Sequence, residues 1–180
     1  MTGCSFQKAS IENPYSLYSD TGNMATNQFF AQNLCVTDNI DYGTDKVSSN
    51  LAGGAGVFNL DTKEVLYSQN LFGKLYPAST TKILTAIIAI EKYNLTDKLS
   101  ASNSAVMAIP SGYSNAGIKQ GETLTVDELL NLFLIHSANE VGYIFAENIS
   151  GDITSFANLM NQKASALGCK NTHFTNPSGI

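Results

Sequence analysis

The stretch "LYPASTTKILTAIIAIE", residues 75–91, decides how the rest of the chain is read. Ser79 and Lys82 stand three residues apart at its front, and residues 83–90 behind them carry no charge. Pro77, just ahead, suits the opening of a helix. A helix over residues 79–93 sets Ser79 and Lys82 on one face, because side chains at i and i+3 are neighbours. Ile83, Leu84, Ile87, Ile88 and Ile90 cover more than one stripe, so this helix is expected to be buried nearly all round.

That setting gives the pair a chemistry. A serine hydroxyl is a weak nucleophile until a base takes its proton. Lysine can be that base when burial disfavours its ammonium form. The free N–H groups and positive end of a first helical turn favour the negative charge that develops as serine attacks a carbonyl. The spacing alone proves little. Ser5 and Lys8 repeat it in a tail where no chemistry is expected, and Ser137-Ala-Asn139 is matched as a Ser-x-Asn by residues 48–50 and 68–70. On these residues a catalytic pair and a polar helix start remain open together. Other arrangements are weaker. No Gly-x-Ser-x-Gly elbow occurs. His136 is expected to be a packed, hydrogen-bonded residue, His173 a structural one in the terminal loop, and Asp127 and Glu128 cap and dipole partners.

The chain has 180 residues, enough for one domain with a sizeable core. Only 14% of them are charged, so its polarity comes from Asn, Ser, Thr and Gln. The net charge of -5 and ten scattered basic residues argue against nucleic acid as a partner. Cys4, Cys35 and Cys169 make neither a disulfide framework nor, with two distant histidines, a zinc site. No apolar run has the length of a membrane span. "TGCS", residues 2–5, has the form of a lipoprotein cleavage site without the apolar segment that should precede it. Cys4 is thus either a lipid attachment point left by a removed signal or incidental.

Residues 1–50 read as a polar tail or linker with one apolar patch at 29–36, and residues 51–180 as a partial domain. Strand patterns at 55–60 and 64–68 around a turn at 61–63 predict a β-hairpin. Gly53, Gly54 and Gly56 fail the phosphate-loop fingerprint and fit a tight strand start. Residues 94–121 read as loop-rich. Thr125 and Glu128 form a capping-box pattern opening a helix, residues 136–139 interrupt it, and further helices are expected at 140–148 and 153–167, stopped by Gly151 and Gly168. Cys169 is expected to be small and buried. Residues 171–180 read as loop. No convincing strand follows residue 70, which leaves the hairpin without the neighbours such a pair needs.

Longer words are more specific. "LYPASTTKILTAIIAIE", "GIKQGETLTVDELLNLFLIHSANEVGYIFAENISG" (117–151) and "FANLMNQKASALGCKNTHFTNPSGI" (156–180) together resemble the serine D-alanyl-D-alanine carboxypeptidases, the low-molecular-weight penicillin-binding proteins of bacterial cell walls. The resemblance runs from about residue 52 to residue 180. It implies an α+β fold of the β-lactamase/transpeptidase type. It also implies Ser79 as acylated nucleophile, Lys82 as general base, Ser137 as the second serine relaying protons, and Asn139 as a substrate-binding residue. The implied reaction removes the terminal D-alanine of peptidoglycan stem peptides through an acyl-enzyme. β-Lactams are the implied inhibitors, with no metal or organic cofactor. The implied place is the extracytoplasmic cell envelope, with membrane contact only through a lipid on Cys4.

The third motif of that family, Lys-Thr-Gly on a sheet edge strand, is not found in these residues. Together with the unsupported hairpin, this makes the chain read as the N-terminal part of a longer enzyme, with the remaining strands missing. Two other functions compete with this one. One is an inactive truncated module that binds wall peptide or a partner chain. The other, a class A-like β-lactamase, is disfavoured because Ala138 replaces the aspartate of Ser-Asp-Asn and Glu128 precedes the Ser-x-Asn instead of following it.

Overall fold

The computed structural model describes residues 41–43, 51–59, 61–62 and 64–180. Cys4, Cys35, the 29–36 patch, the Ser5–Lys8 pair and most of the expected tail lie outside these residues. The expected hairpin is formed by β1 (Ala55–Phe58) and β2 (Val65–Gln69), paired antiparallel with Ala55 opposite Gln69. The Asn59 side-chain oxygen accepts from the N–H groups of Asp61 (3.0 Å) and Thr62 (3.1 Å), which fixes the turn. Gly56 lies within β1, and no helix follows it to cradle a phosphate.

The decisive stretch opens as a 3₁₀ turn, Ala78–Thr81, which runs into α1 (Lys82–Lys92). Ser79 therefore belongs to the tighter turn and Lys82 to the first α-helical residue. After α1 come β3 (Lys98–Ser100), α2 (Asn103–Met107), β4 (Thr123–Thr125), α3 (Val126–Leu134), α4 (Asn139–Ser150) and α5 (Ile153–Ala166). β3 and β4 pair antiparallel as a second two-stranded sheet, in a region expected to hold no strand. Strands of three residues are too short for an alternating pattern to register in sequence.

Helix ends follow their local chemistry. The Thr125 hydroxyl accepts from Glu128 N–H (3.2 Å) and the Glu128 carboxylate accepts from Thr125 N–H (2.8 Å), closing the expected capping box. The bond from Thr125 N–H first, and then one that the Thr125 hydroxyl donates to the same carboxylate (2.8 Å), hold the Glu128 carboxyl below the usual carboxylate range. α5 ends in a Schellman motif: Gly168 N–H reaches Ser165 C=O and Cys169 N–H reaches Ala164 C=O. Gly168 takes the left-handed φ of 84° that this motif needs. The motif turns the chain outward, so Cys169 is exposed and not buried as expected.

Burial corrects one expectation. The helix enclosed on all sides is α4, whose residues from Asn139 to Ala146 are all buried. α4 packs against α1, α2, α3 and α5. α1 turns Lys82, Thr85, Ala86 and Ala89 inward, while Ile83, Ile87 and Ile90 are 58%, 38% and 41% exposed. Ile83 and Ile87 line an open apolar groove of about 790 Å³ with Phe72, Leu75 and Tyr76. One apolar cluster gathers around Phe133, Val141, Ile144 and Phe145, and a second joins Leu84, Ile88, Phe156 and Met160. Among the described residues no helix is long and apolar enough to cross a membrane.

Candidate active site

Three separate segments converge on the amine of Lys82. Its Nζ lies 3.1 Å from Ser79 Oγ, 2.7 Å from Asn139 Oδ1 and 3.0 Å from the carbonyl oxygen of Ser178. Lys82 is 2% exposed, and Nζ stands 5.7 Å from the centre of the Phe133 ring. Among the described residues no carboxylate pairs with it, the one ion pair being Lys163 with Glu91. Burial without a countercharge holds the Lys82 amine below the usual lysine range.

The three neighbours suit both charge states of the lysine. As an ammonium, Nζ donates to all three oxygens. As a neutral amine it has two N–H groups and one lone pair. Asn139 Oδ1 and the Ser178 carbonyl can only accept here, so the lone pair falls to Ser79, whose hydroxyl then donates to it. The one neighbour able to give a proton is the exposed serine.

Ser137 completes the cluster: its hydroxyl donates to Ser79 Oγ at 3.1 Å. Both serines depend on backbone strain. Ala78, just before the first, has φ of 48°, and Ser137 itself has φ of 56°. Such left-handed positions cost non-glycine residues about 1 kcal/mol or more. Ser137 sits in the short connection between α3 and α4, where Ala138 N–H reaches back to Leu132 C=O at 3.1 Å. Asn139 begins α4. Its Nδ2 donates to Ser114 C=O (2.8 Å), and its backbone N–H reaches the same oxygen at 3.0 Å. With a carbonyl on one side and the lysine on the other, the amide has one orientation that satisfies both. Ser79 N–H, near the start of the 3₁₀ turn, has no acceptor within that turn.

A family model described as D-alanyl-D-alanine carboxypeptidase matches residues 44–180. The chain belongs to that family. Among its relatives, D-alanyl-D-alanine carboxypeptidase DacF of Bacillus subtilis is 39% identical over 134 residues, which take in 72% of this chain and 34% of the relative. The chain thus spans about a third of that protein. Among solved structures, the carboxypeptidase DacD of Francisella tularensis superposes with a TM-score of 0.65 at 30% identity, covering 79% of this chain and 33% of that one. A D-alanyl-D-alanine carboxypeptidase of Mycobacterium tuberculosis gives 0.64 at 31% identity, covering 72% and 47%. The expected fold class agrees with these neighbours.

The four expected residues of the family site, Ser79, Lys82, Ser137 and Asn139, thus lie in one hydrogen-bonded group. The other titratable candidates do not join it. Glu128 caps α3, His136 is exposed rather than packed as expected, and His173 is exposed as well. His136 meets the site only through its backbone, whose C=O accepts from Ser114 Oγ at 3.2 Å. Among the described residues no three His, Cys, Asp or Glu side chains gather as metal ligands do. Sequence reasoning missed the carbonyls of Ser114 and Ser178, because a backbone oxygen leaves no mark in residue type. It also missed Thr85, whose hydroxyl donates to Pro177 C=O at 2.7 Å. A threonine inside an otherwise apolar helix was the available signal.

Proposed function

We propose that this chain carries the acylating half of a serine D-Ala-D-Ala carboxypeptidase site acting on peptidoglycan stem peptides in the cell envelope. One observation carries the reading: Ser79 Oγ lies 3.1 Å from both a buried lysine without a countercharge and a second serine. Neutral Lys82 accepts the Ser79 proton as Oγ attacks the carbonyl of the penultimate D-alanine. The oxyanion forms beside Ser79 N–H. Collapse breaks the peptide bond and leaves the acyl group on Ser79. The departing D-alanine amine takes its proton from the Lys82 ammonium by way of Ser137, which restores the neutral base. Water then attacks the acyl carbonyl, Lys82 takes its proton, and collapse releases the acid as Lys82 returns that proton to Ser79 Oγ. Asn139 holds the base through Oδ1, and its second Nδ2 hydrogen is the one left for a substrate amide. A β-lactam presents a similar carbonyl and acylates the same oxygen. Residues 51–180 form the working unit in this reading, and Cys4 is the point at which a lipid would tether it.

The test is covalent labelling by a fluorescent penicillin, with the adduct located by peptide mass. The native chain should carry one label, on Ser79, and release free D-alanine from a peptide ending in D-Ala-D-Ala. Ser79→Ala should carry none, and Ser5→Ala should label like the native chain. Labelling that survives in Ser79→Ala sinks the assignment. A native chain that takes no label favours the alternative of a module that binds without acylating.

A further inference from the structure

The last residues of the chain do more than close a loop. Asn176 Oδ1 accepts from Ser178 N–H (3.1 Å) and Gly179 N–H (2.6 Å), and Asn176 Nδ2 donates to Ile180 C=O (2.8 Å). One side chain thus winds residues 176–180 into a fixed turn. Two successive carbonyls leave that turn toward α1. Pro177 C=O takes the hydroxyl of Thr85, and Ser178 C=O takes Lys82 Nζ. Thr85 and Ser178 are each 0% exposed, so water does not compete for either bond.

Two glycines let the turn come this close. At Gly142 of α4, a β-carbon would stand 3.3 Å from Pro177 Cβ and 3.2 Å from the Phe133 ring. At Gly179 the restriction is absolute. The backbone has φ of +84°, and a β-carbon would lie 2.0 Å from the carbonyl oxygen of Ala78 and 2.8 Å from Thr81 Oγ1. Ala78 is the strained residue immediately before Ser79. Gly179 therefore rests against the segment that presents the nucleophile, while its neighbour Ser178 seals the base.

We propose that Asn176 and Gly179 are positioning residues of the acylating site: the turn they fix clamps the Ala78–Ser79 peptide from one side and shuts water away from Lys82 on the other. The proposal rests on Lys82 acting as the base. Neither residue touches substrate; both act through Lys82 and Ser79. The turn gives Nζ one uncharged acceptor, Ser178 C=O, and shuts out water; water that enters takes the place of that acceptor, so what opening the turn changes is the solvation of the ammonium. A side chain at residue 179 must lift the turn from Ala78, withdraw Ser178 C=O and let water reach Nζ. Loss of the Asn176 amide frees the two N–H groups that hold the turn shut.

The experiment is a pH titration of the full chain labelled with ¹³C at the lysine ε-carbon, with the Lys82 signal assigned by its disappearance in Lys82→Met. In the native chain Lys82 should titrate below the exposed lysines. In Gly179→Ala and in Asn176→Ala it should move up into their range, with far-UV circular dichroism unchanged. Where the native chain takes the penicillin label, both variants should also label more slowly near neutral pH and recover part of the rate as pH rises. A native Lys82 that titrates with the exposed lysines refutes the base itself, and the proposal with it. A native value that is low, and stays equally low in both variants, overturns only the role of the turn. Asn176→Ala inserts no atoms, so if that change alone unfolds the chain, Asn176 serves stability and the proposal fails.

Discussion

The bond between Lys82 and Asn139 offers the most direct measurement of how the site is built. It spans 2.7 Å in a buried setting and joins residues 57 positions apart. Asn139→Ala removes the acceptor while leaving Ser114 C=O held by the Asn139 backbone N–H at 3.0 Å, so the loss falls mainly on the lysine. Lys82→Met keeps an unbranched stem and deletes the amine. The two changes close a double-mutant cycle that isolates the pair. A hydrogen bond to a charged group contributes ~1.5–3 kcal/mol, and a neutral one about 1 kcal/mol. The coupling should therefore be ~1.5–3 kcal/mol where the amine is charged and fall toward about 1 kcal/mol as it loses its proton. Urea unfolding of the four proteins across neutral and alkaline pH reads both values from midpoints and slopes. A coupling under ~0.5 kcal/mol at every pH, or one that grows as pH rises, would refute the geometry from which these values were worked.

Four further measurements probe the surroundings. Lys82 loses its proton more readily in the folded chain than in the unfolded one, so the unfolded state holds more protons between the lowered folded pKa and the ordinary lysine value of roughly 10.4. Native stability should rise with pH through that window, and Lys82→Met should remove that part of the rise. Thr125→Ala should cost about 1 kcal/mol through the lost cap. The Glu128 contribution to that cap is present above the ordinary carboxylate pKa and lost as pH falls through its lowered folded value; alanine keeps the residue-125 N–H bond and loses only the hydroxyl's share, so the variant should lose slightly less stability in acid than the native chain. Gly142→Ala should destabilise by about 1 kcal/mol in urea titrations, because the crowding against Phe133 and Pro177 outweighs the helical preference for alanine. Phe133→Ala removes a fully buried ring packed edge-on to Phe145 at 5.9 Å and should cost ~3–5 kcal/mol.

How far the sequence could be read depends on the range of each signal. The capping box at Thr125, the stops at Gly151 and Gly168 and the hairpin around residues 61–62 are local hydrogen-bond chemistry, and each has a mark in the sequence. β3 and β4 have none, because their pairing joins residues more than twenty positions apart through strands of three residues. α1 is less enclosed than its apolar composition suggests. Its isoleucines say that the helix is apolar on several sides, but its buried side also holds Ala86 and Ala89, small residues that attract no notice in a sequence. In the site, Ser79, Lys82, Ser137 and Asn139 were legible through family words, whereas short spacing alone left them ambiguous with the pairs at 5–8 and 48–50. The φ values of Ala78 and Ser137 had no sequence signal, since neither residue is glycine.

The Schellman end of α5 has a practical consequence. Gly168 and Cys169 form an exposed glycine–cysteine junction directly upstream of the segment that seals Lys82. A cysteine at the head of a synthetic peptide joins chemoselectively to a thioester, and glycine is the least hindered residue to carry one. Residues 169–180 can therefore be supplied by chemical synthesis and ligated to residues 1–168. That route reaches single backbone atoms: the Ser178 carbonyl oxygen can be exchanged for sulfur, altering one acceptor on the lysine without changing any side chain.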